Sequence, residues 1–262
     1  LRDGTFQDVA AGTTVAGSGA GAGVGIGDLN HDGYMDLLLP AANNVQLLLG
    51  KANKTYESTT LPLPETGVTV HGAQPLDFDS DGDLDILLII APLLNESDPP
   101  EDFQNFYLLE NRNGSFRDIS GPSGLDGIRS LPIRGLSVAD FDRDGDLDFA
   151  ANVNGSSPLL FRNDGGNQNN WITIQASGTN SNRSGIGAKV EVKSGRLYQK
   201  AEIHAGSGFL SQSSPLLHFG LGKRDRVDMV RIVWPGGVLQ SEVDQPVKQT
   251  VHIQELDRKG TS

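Results

Sequence analysis

The chain of 262 residues reads as all-β. Two observations carry that reading. No long window places apolar residues at helical spacing without Gly or Pro interrupting it. Short β-rich runs recur instead at residues 45–49, 85–90, 106–109, 171–175, 188–192, 227–234 and 250–255, each bounded by Gly, Pro, Asn, Asp or Ser. A third observation, an internal repeat, predicts how those strands are grouped.

One phrase occurs three times. It runs from Asp28 to Asp36, from Asp77 to Asp85 and from Asp140 to Asp148, on the template D-x-[DN]-x-D-G-x-x-D. Its first Asp recurs after 49 and then 63 residues. A second phrase travels with it, at residues 3–8, blurred at 53–56 and again at 113–118. A unit of about 50 residues with several short strands suits the blades of a β-propeller. The longer interval holds residues 91–103, with Pro92, Pro99 and Pro100, which read as an inserted loop. The glycine-rich stretch 16–27 fits no phosphate-binding spacing and reads as a small-residue inner strand near the propeller axis. After residue 165 the Asp-rich phrases stop. A boundary is expected within 163–169, dividing the chain into propeller blades at 1–165 and a β-domain at 166–262. The expected fold is therefore a partial β-propeller of about three blades followed by a smaller β-sandwich-like domain.

The repeated phrase has the chemistry of a cation loop. In the first loop Asp28, Asn30, Asp32 and Asp36 offer side-chain oxygens, and Tyr34 offers its backbone carbonyl. Asp77, Asp79, Asp81 and Asp85 with the carbonyl of Asp83 repeat the set, as do Asp140, Asp142, Asp144 and Asp148 with the carbonyl of Asp146. Hard oxygen donors in that number suit calcium, and the Gly at the sixth position allows a sharp turn around the ion. Thiolate and imidazole donors are missing, which disfavours zinc and copper. An EF-hand needs a Glu at the twelfth position, where this chain has Leu39, Leu88 and Ala151. About three calcium ions are expected. His31, at the fourth position of the first loop, is expected to point away from the ion.

Charge and composition narrow the function. Net charge is −12, and 13 of the 33 acidic residues lie in the three loops. A nucleic-acid partner needs a basic face, and an anionic membrane repels such a chain. The absence of cysteine removes disulfides and thiolate chemistry. The longest apolar stretch, 84–94, is about half of what spans a bilayer, so no direct membrane insertion is expected. The chain opens at Leu1 rather than Met and ends without a closing element, so both termini read as cut from something longer.

At the Asp-rich loops the chain resembles the FG-GAP/VCBS repeats of integrin-α-type propellers. The Phe-Gly and Gly-Ala-Pro marks of that family are missing, and Val24-Gly25-Ile26-Gly27 precedes the first loop. The second half resembles the ASPIC/UnbV domain at residues 161–165, Asn170-Trp171, 181–188, 206–212, 218–222 and 234–237. Propeller followed by ASPIC/UnbV is the layout of the cartilage acidic protein family and its bacterial relatives. The resemblance implies a secreted, periplasmic or cell-surface calcium-binding protein and no reaction. Such propellers have about seven blades, so the remaining blades are expected from the parent chain or from another subunit.

No set of acid, base and nucleophile converges elsewhere. His71, His204, His218 and His252 form no metal-spaced pair, and His204 and His218 are expected to pack or hydrogen-bond. Trp171 and Trp234 are expected as core anchors. Lys223, Arg224, Arg226 and Arg231 read as a solvated turn. The expected function is a non-enzymatic adhesion or assembly module with a protein or glycan partner. Two rivals stand beside it: a propeller-based polysaccharide lyase or hydrolase, and an accessory subunit of a larger surface or membrane complex.

Overall fold

The computed structural model of the chain describes residues 23–41, 44–63, 69–91, 102–207 and 210–257. The phrase at residues 3–8, the glycine-rich stretch as far as 22, most of the Pro-rich loop, Gly208, Phe209 and the tail from 258 lie outside the described residues. The fold is all-β, in several separate sheets.

Three antiparallel meanders come first. β1 (Gly25–Gly27), β2 (Asp36–Ala41), β3 (Asn44–Gly50) and β4 (Tyr56–Pro62) pair in chain order. β5 (Thr69–Leu76), β6 (Asp85–Ala91), β7 (Phe106–Arg112) and β8 (Ser115–Asp118) repeat the pattern. The third blade is β9 (Ile133–Ala139), β10 (Asp148–Val153) and β11 (Leu159–Phe161). A short 3-10 turn, Gly166–Gln168, leads into the second half.

The sequence explains how the blades stack. On β6, Ile86, Leu88 and Ile90 belong to the core shared with the first blade. Leu87 and Ile89 belong to the core shared with the third. All five are at most 1% exposed. A strand covered on both faces needs a continuous apolar run rather than alternation, and each such side chain contributes about 1.5–3 kcal/mol by leaving water. Residues 85–91 of the apolar stretch considered for a membrane thus form an inner strand of the middle blade. Among the described residues no helix is long and apolar enough to cross a membrane. Phe106, Phe149 and Phe161 close the second core with ring centroids 4.4–5.5 Å apart.

The second half is a two-sheet sandwich. β12 (Asn170–Ser177) pairs antiparallel with β15 (Leu217–Gly222) and parallel with β18 (Gln249–Gln254). The facing sheet runs β14 (Leu197–Glu202), β13 (Lys189–Ser194), β16 (Arg226–Val233), β17 (Leu239–Pro246). Ile172, Ile174, Val190, Val230, Ile232 and Trp234 fill the space between. Arg226 and Arg231 lie on β16 rather than in a solvated turn, paired with Asp244 and Glu191.

Candidate metal centres

Each Asp-rich loop occupies the same place in its blade. It joins the first strand to the second, and its ninth-position Asp (Asp36, Asp85 or Asp148) opens that second strand. The fourth and sixth residues are both left-handed: His31 and Gly33 at φ 57° and 83°, Ser80 and Gly82 at 56° and 106°, Arg143 and Gly145 at 65° and 101°. A non-Gly residue held there costs about 1–2 kcal/mol, which the loop's own hydrogen bonds offset. The Gly amide donates to the first Asp at 2.9 Å for Gly33 to Asp28, 3.0 Å for Gly82 to Asp77 and 3.1 Å for Gly145 to Asp140. The seventh-position amides donate to the fifth Asp, from Tyr34, Asp83 and Asp146 to Asp32, Asp81 and Asp144.

The ninth Asp is also a clamp. One oxygen accepts the amide of the loop's second residue, from Leu29, Phe78 and Phe141 at 2.8, 3.1 and 3.0 Å. The other accepts an amide from the end of the blade's third strand or just beyond it, from Gly50, Asn111 and Asn163 at 2.8, 2.7 and 2.8 Å. Sequence reasoning missed Asn111 and Asn163. Each amide side chain reaches into the preceding blade's loop, Asn111 donating to the Leu29 carbonyl at 3.0 Å and Asn163 to the Phe78 carbonyl at 2.7 Å. The signal that could have found them is a repeated N-x-x-G at 111–114 and 163–166, where each Asn side chain accepts the Gly amide.

In the second loop, carboxylate oxygens of Asp77, Asp79 and Asp85 lie within 4.8 Å of one another; in the third, those of Asp140, Asp142 and Asp148 do. Asp81 and Asp144, at the fifth position, stand outside these triads. In the first loop Asn30 takes the third position as an amide, and its oxygen accepts the Asp32 amide at 3.1 Å. Tyr34 is exposed, Asp83 turns to His31, and Asp146 turns to the amide of Asn167 at 3.2 Å. The His31 side chain points out of its own loop, its Nε2 lying 3.0 Å from Asp83 in the next.

Burial and crowding raise the loop carboxyls. Burial, reinforced by neighbouring acids, pushes Asp77 well above the usual carboxylate range. Burial raises Asp85 to about 8, and Asp36 and Asp81 to about 6. Asp146 rises to about 7 through burial and the carboxylate of Asp144 beside it. Its Oδ1 is buried without a hydrogen-bond partner. Carboxylates gathered without counter-charge resist ionisation, and a cation among them reverses the sign of that effect. The two acidic triads can hold a metal ion.

Residues 178–260 match the family model described as ASPIC and UnbV. The match starts after residues 161–165 and Asn170-Trp171, two of the places where the sequence resembled that domain. The chain is 33% identical over 267 residues to Cartilage acidic protein 1 of Homo sapiens, covering 91% of this chain and 37% of that protein. It is 31% identical over 266 residues to the Mus musculus protein of that name, covering 91% and 38%. For the Xenopus tropicalis protein the figures are 30% over 265 residues, 90% and 37%. The chain thus spans well under half the length of these relatives.

The ASPIC and UnbV region supplies a second group that the sequence did not announce. Glu255 is 2% exposed, and its Oε2 accepts the amides of Thr179, Asn180 and Ser181 at 3.0, 2.8 and 2.6 Å. The Ser181 hydroxyl donates to Oε1 at 2.9 Å. This carboxylate pins the 179–181 turn to the end of β18. The two singled-out histidines differ. His218 is stacked on Trp171 and bonded to Ser80 at 3.1 Å, whereas His204 is exposed. Trp234 is a core anchor at 1% exposure; Trp171 is only half-buried.

Proposed function

We propose that the chain is a calcium-binding, non-enzymatic adhesion or assembly module that works outside the cytoplasm. Its blades are read as FG-GAP/VCBS repeats, with Asp28, Asn30, Asp32, Asp36 and their counterparts in the other two loops as ligands. The single observation that carries the reading is the recurrence of one loop geometry, with the same clamp and the same left-handed positions, in three successive blades. Turn chemistry alone does not require carboxylate triads at fixed places. The buried, unpartnered Oδ1 of Asp140, a member of the third triad, supports a cation in the third loop. Similarity to Cartilage acidic protein 1 supports a secreted or surface location. The domain division at residue 165, a protein or glycan partner and the completion of the ring by further blades belong to the same proposal.

Calcium titration followed by calorimetry, with thermal melts in calcium and in chelator, tests it. A ligand bound only by the folded state adds about 2.7 kcal/mol per site at a hundredfold excess over Kd. The chelated chain is expected to melt several degrees lower. Identical melts and no heat of binding overturn the calcium reading.

A further inference from the structure

We propose that the cation loops are the docking surface for the C-terminal sandwich, so that metal loading of the second and third loops sets how firmly the two halves of the chain hold together. This rests on the calcium reading above.

The contacts that join the halves are made by the loops themselves. In the second loop, the Ser80 carbonyl accepts the Gly222 amide at 2.9 Å. The Ser80 hydroxyl lies 3.1 Å from His218 Nε2. The Asp79 carbonyl accepts the Asn169 side-chain amide at 2.9 Å. β15 runs so close that a Cβ on Gly220 would stand 2.0 Å from Oδ2 of Asp77, a residue of the acidic triad. In the third loop, Asp146 accepts the Asn167 amide and the Asp144 carbonyl accepts the Asn167 side chain, both at 3.2 Å. The Trp171 ring lies flat enough on the loop that a Cβ at Gly145 would meet it at 2.3 Å. Most of these partners are loop backbone atoms. Their positions follow from the left-handed turns at Ser80 and Arg143 and at the glycines two residues on. Five carboxylates in each of these loops repel one another, and that repulsion loosens the turns unless a cation balances it.

A tether independent of the loops sits elsewhere: the Ser214 amide donates to the Val138 carbonyl of β9 at 3.0 Å. Loss of metal therefore opens the loop contacts without releasing the sandwich.

Amide hydrogen exchange on this chain, in calcium and in chelator, reads the effect residue by residue. The Gly82 amide reports the loop itself, Gly222 and Asn167 report docking, and Gly187, which donates to Ile203 within the sandwich, reports whether that half stays folded. Chelation is expected to speed exchange at Gly82, Gly222 and Asn167 by about tenfold or more while Gly187 holds, a coupling of ordinary size. If Gly82 responds and Gly222 and Asn167 do not, docking is independent of metal and this inference is overturned while the calcium reading stands. If calcium gives no heat and Gly82 is unchanged, both fall. Coupling is reciprocal, so Gly220→Ala, which wedges the halves apart, is expected to weaken calcium binding about tenfold with Gly187 still protected. Ser80→Gly, which keeps the turn and removes the hydroxyl, is the milder companion and is expected to shift affinity the same way by less. Unchanged affinity in both variants overturns the inference.

Discussion

Glu255 is a buried titratable group and His218 a half-buried one, with opposite reasons for their state. Burial pushes the Glu255 carboxyl up, but the amides and hydroxyl of residues 179–181 outweigh it and hold the group below its usual range. Its stabilisation is present above the unfolded-state value and disappears as pH falls through the lower folded-state value. Glu255→Gln removes the charge that three amides share, at a cost of about 1–3 kcal/mol. Urea denaturation at pH 7 should show that loss, and the gap between parent and variant should shrink below about pH 4. His218 is pushed down to about 4 by burial alone. It stays neutral when folded and takes up a proton when unfolded, so it destabilises the chain as pH falls from about 6.5 towards 4. With calcium present, His218→Gln should flatten the acid limb of a melting curve across that window. A variant with an unchanged acid limb would mean that His218 is not the group responsible.

At the scale of the element, the blade is closed by its clamp. Asn163 follows β11, donates to the previous loop at Phe78 and accepts the amides of Gly165 and Gly166 at 3.2 Å. Asn163→Ala leaves the half-buried Phe78 carbonyl and two amides without that partner, so about 1–3 kcal/mol of stability should be lost. Asn163→Asp keeps the acceptor and loses the donor, and it should fall between the two in a denaturant series. This is also where the sequence was legible and where it was not. The strands and the loops were readable because each is a local pattern: a β-rich run between turn residues, or five oxygens and a Gly at fixed spacing. Asn111 and Asn163 act across 82 and 85 residues, and nothing local marks those distances. Asn163 fell in a stretch rich in Gly, Asn and Asp that reads equally well as a linker. The fifth-position acids illustrate the other limit. Spacing alone names five donors in each loop, while the carboxylates that lie within 4.8 Å of one another are those of the first, third and ninth positions, and the fifth-position Asp81 and Asp144 accept the amides of Asp83 and Asp146.

For the molecule as a whole, the loops dominate the response to pH, and the sign depends on the cation. Asp36, Asp81, Asp85 and Asp146 sit at about 6, 6, 8 and 7, all above the ordinary Asp value. A carboxyl raised on folding binds more protons in the native state than in the unfolded one. Its stabilisation is full below the unfolded value near 4 and disappears as pH rises through the folded value. The metal-free chain should therefore lose stability steadily between about pH 4 and pH 8. His218 and His71, both held low by burial, oppose it in part of the same window and are outnumbered. Calcium inverts the slope, because its ligands must be deprotonated and its affinity rises with pH. Melting temperatures taken from pH 5 to pH 8 should thus fall in chelator and rise in calcium, the two curves diverging most at the alkaline end. Parallel curves would mean that the raised carboxyls and the cation ligands are different groups. Divergence abolished by Asp85→Asn and Asp148→Asn together would place the effect in the second and third loops, where two clamps and two triads share the same acids.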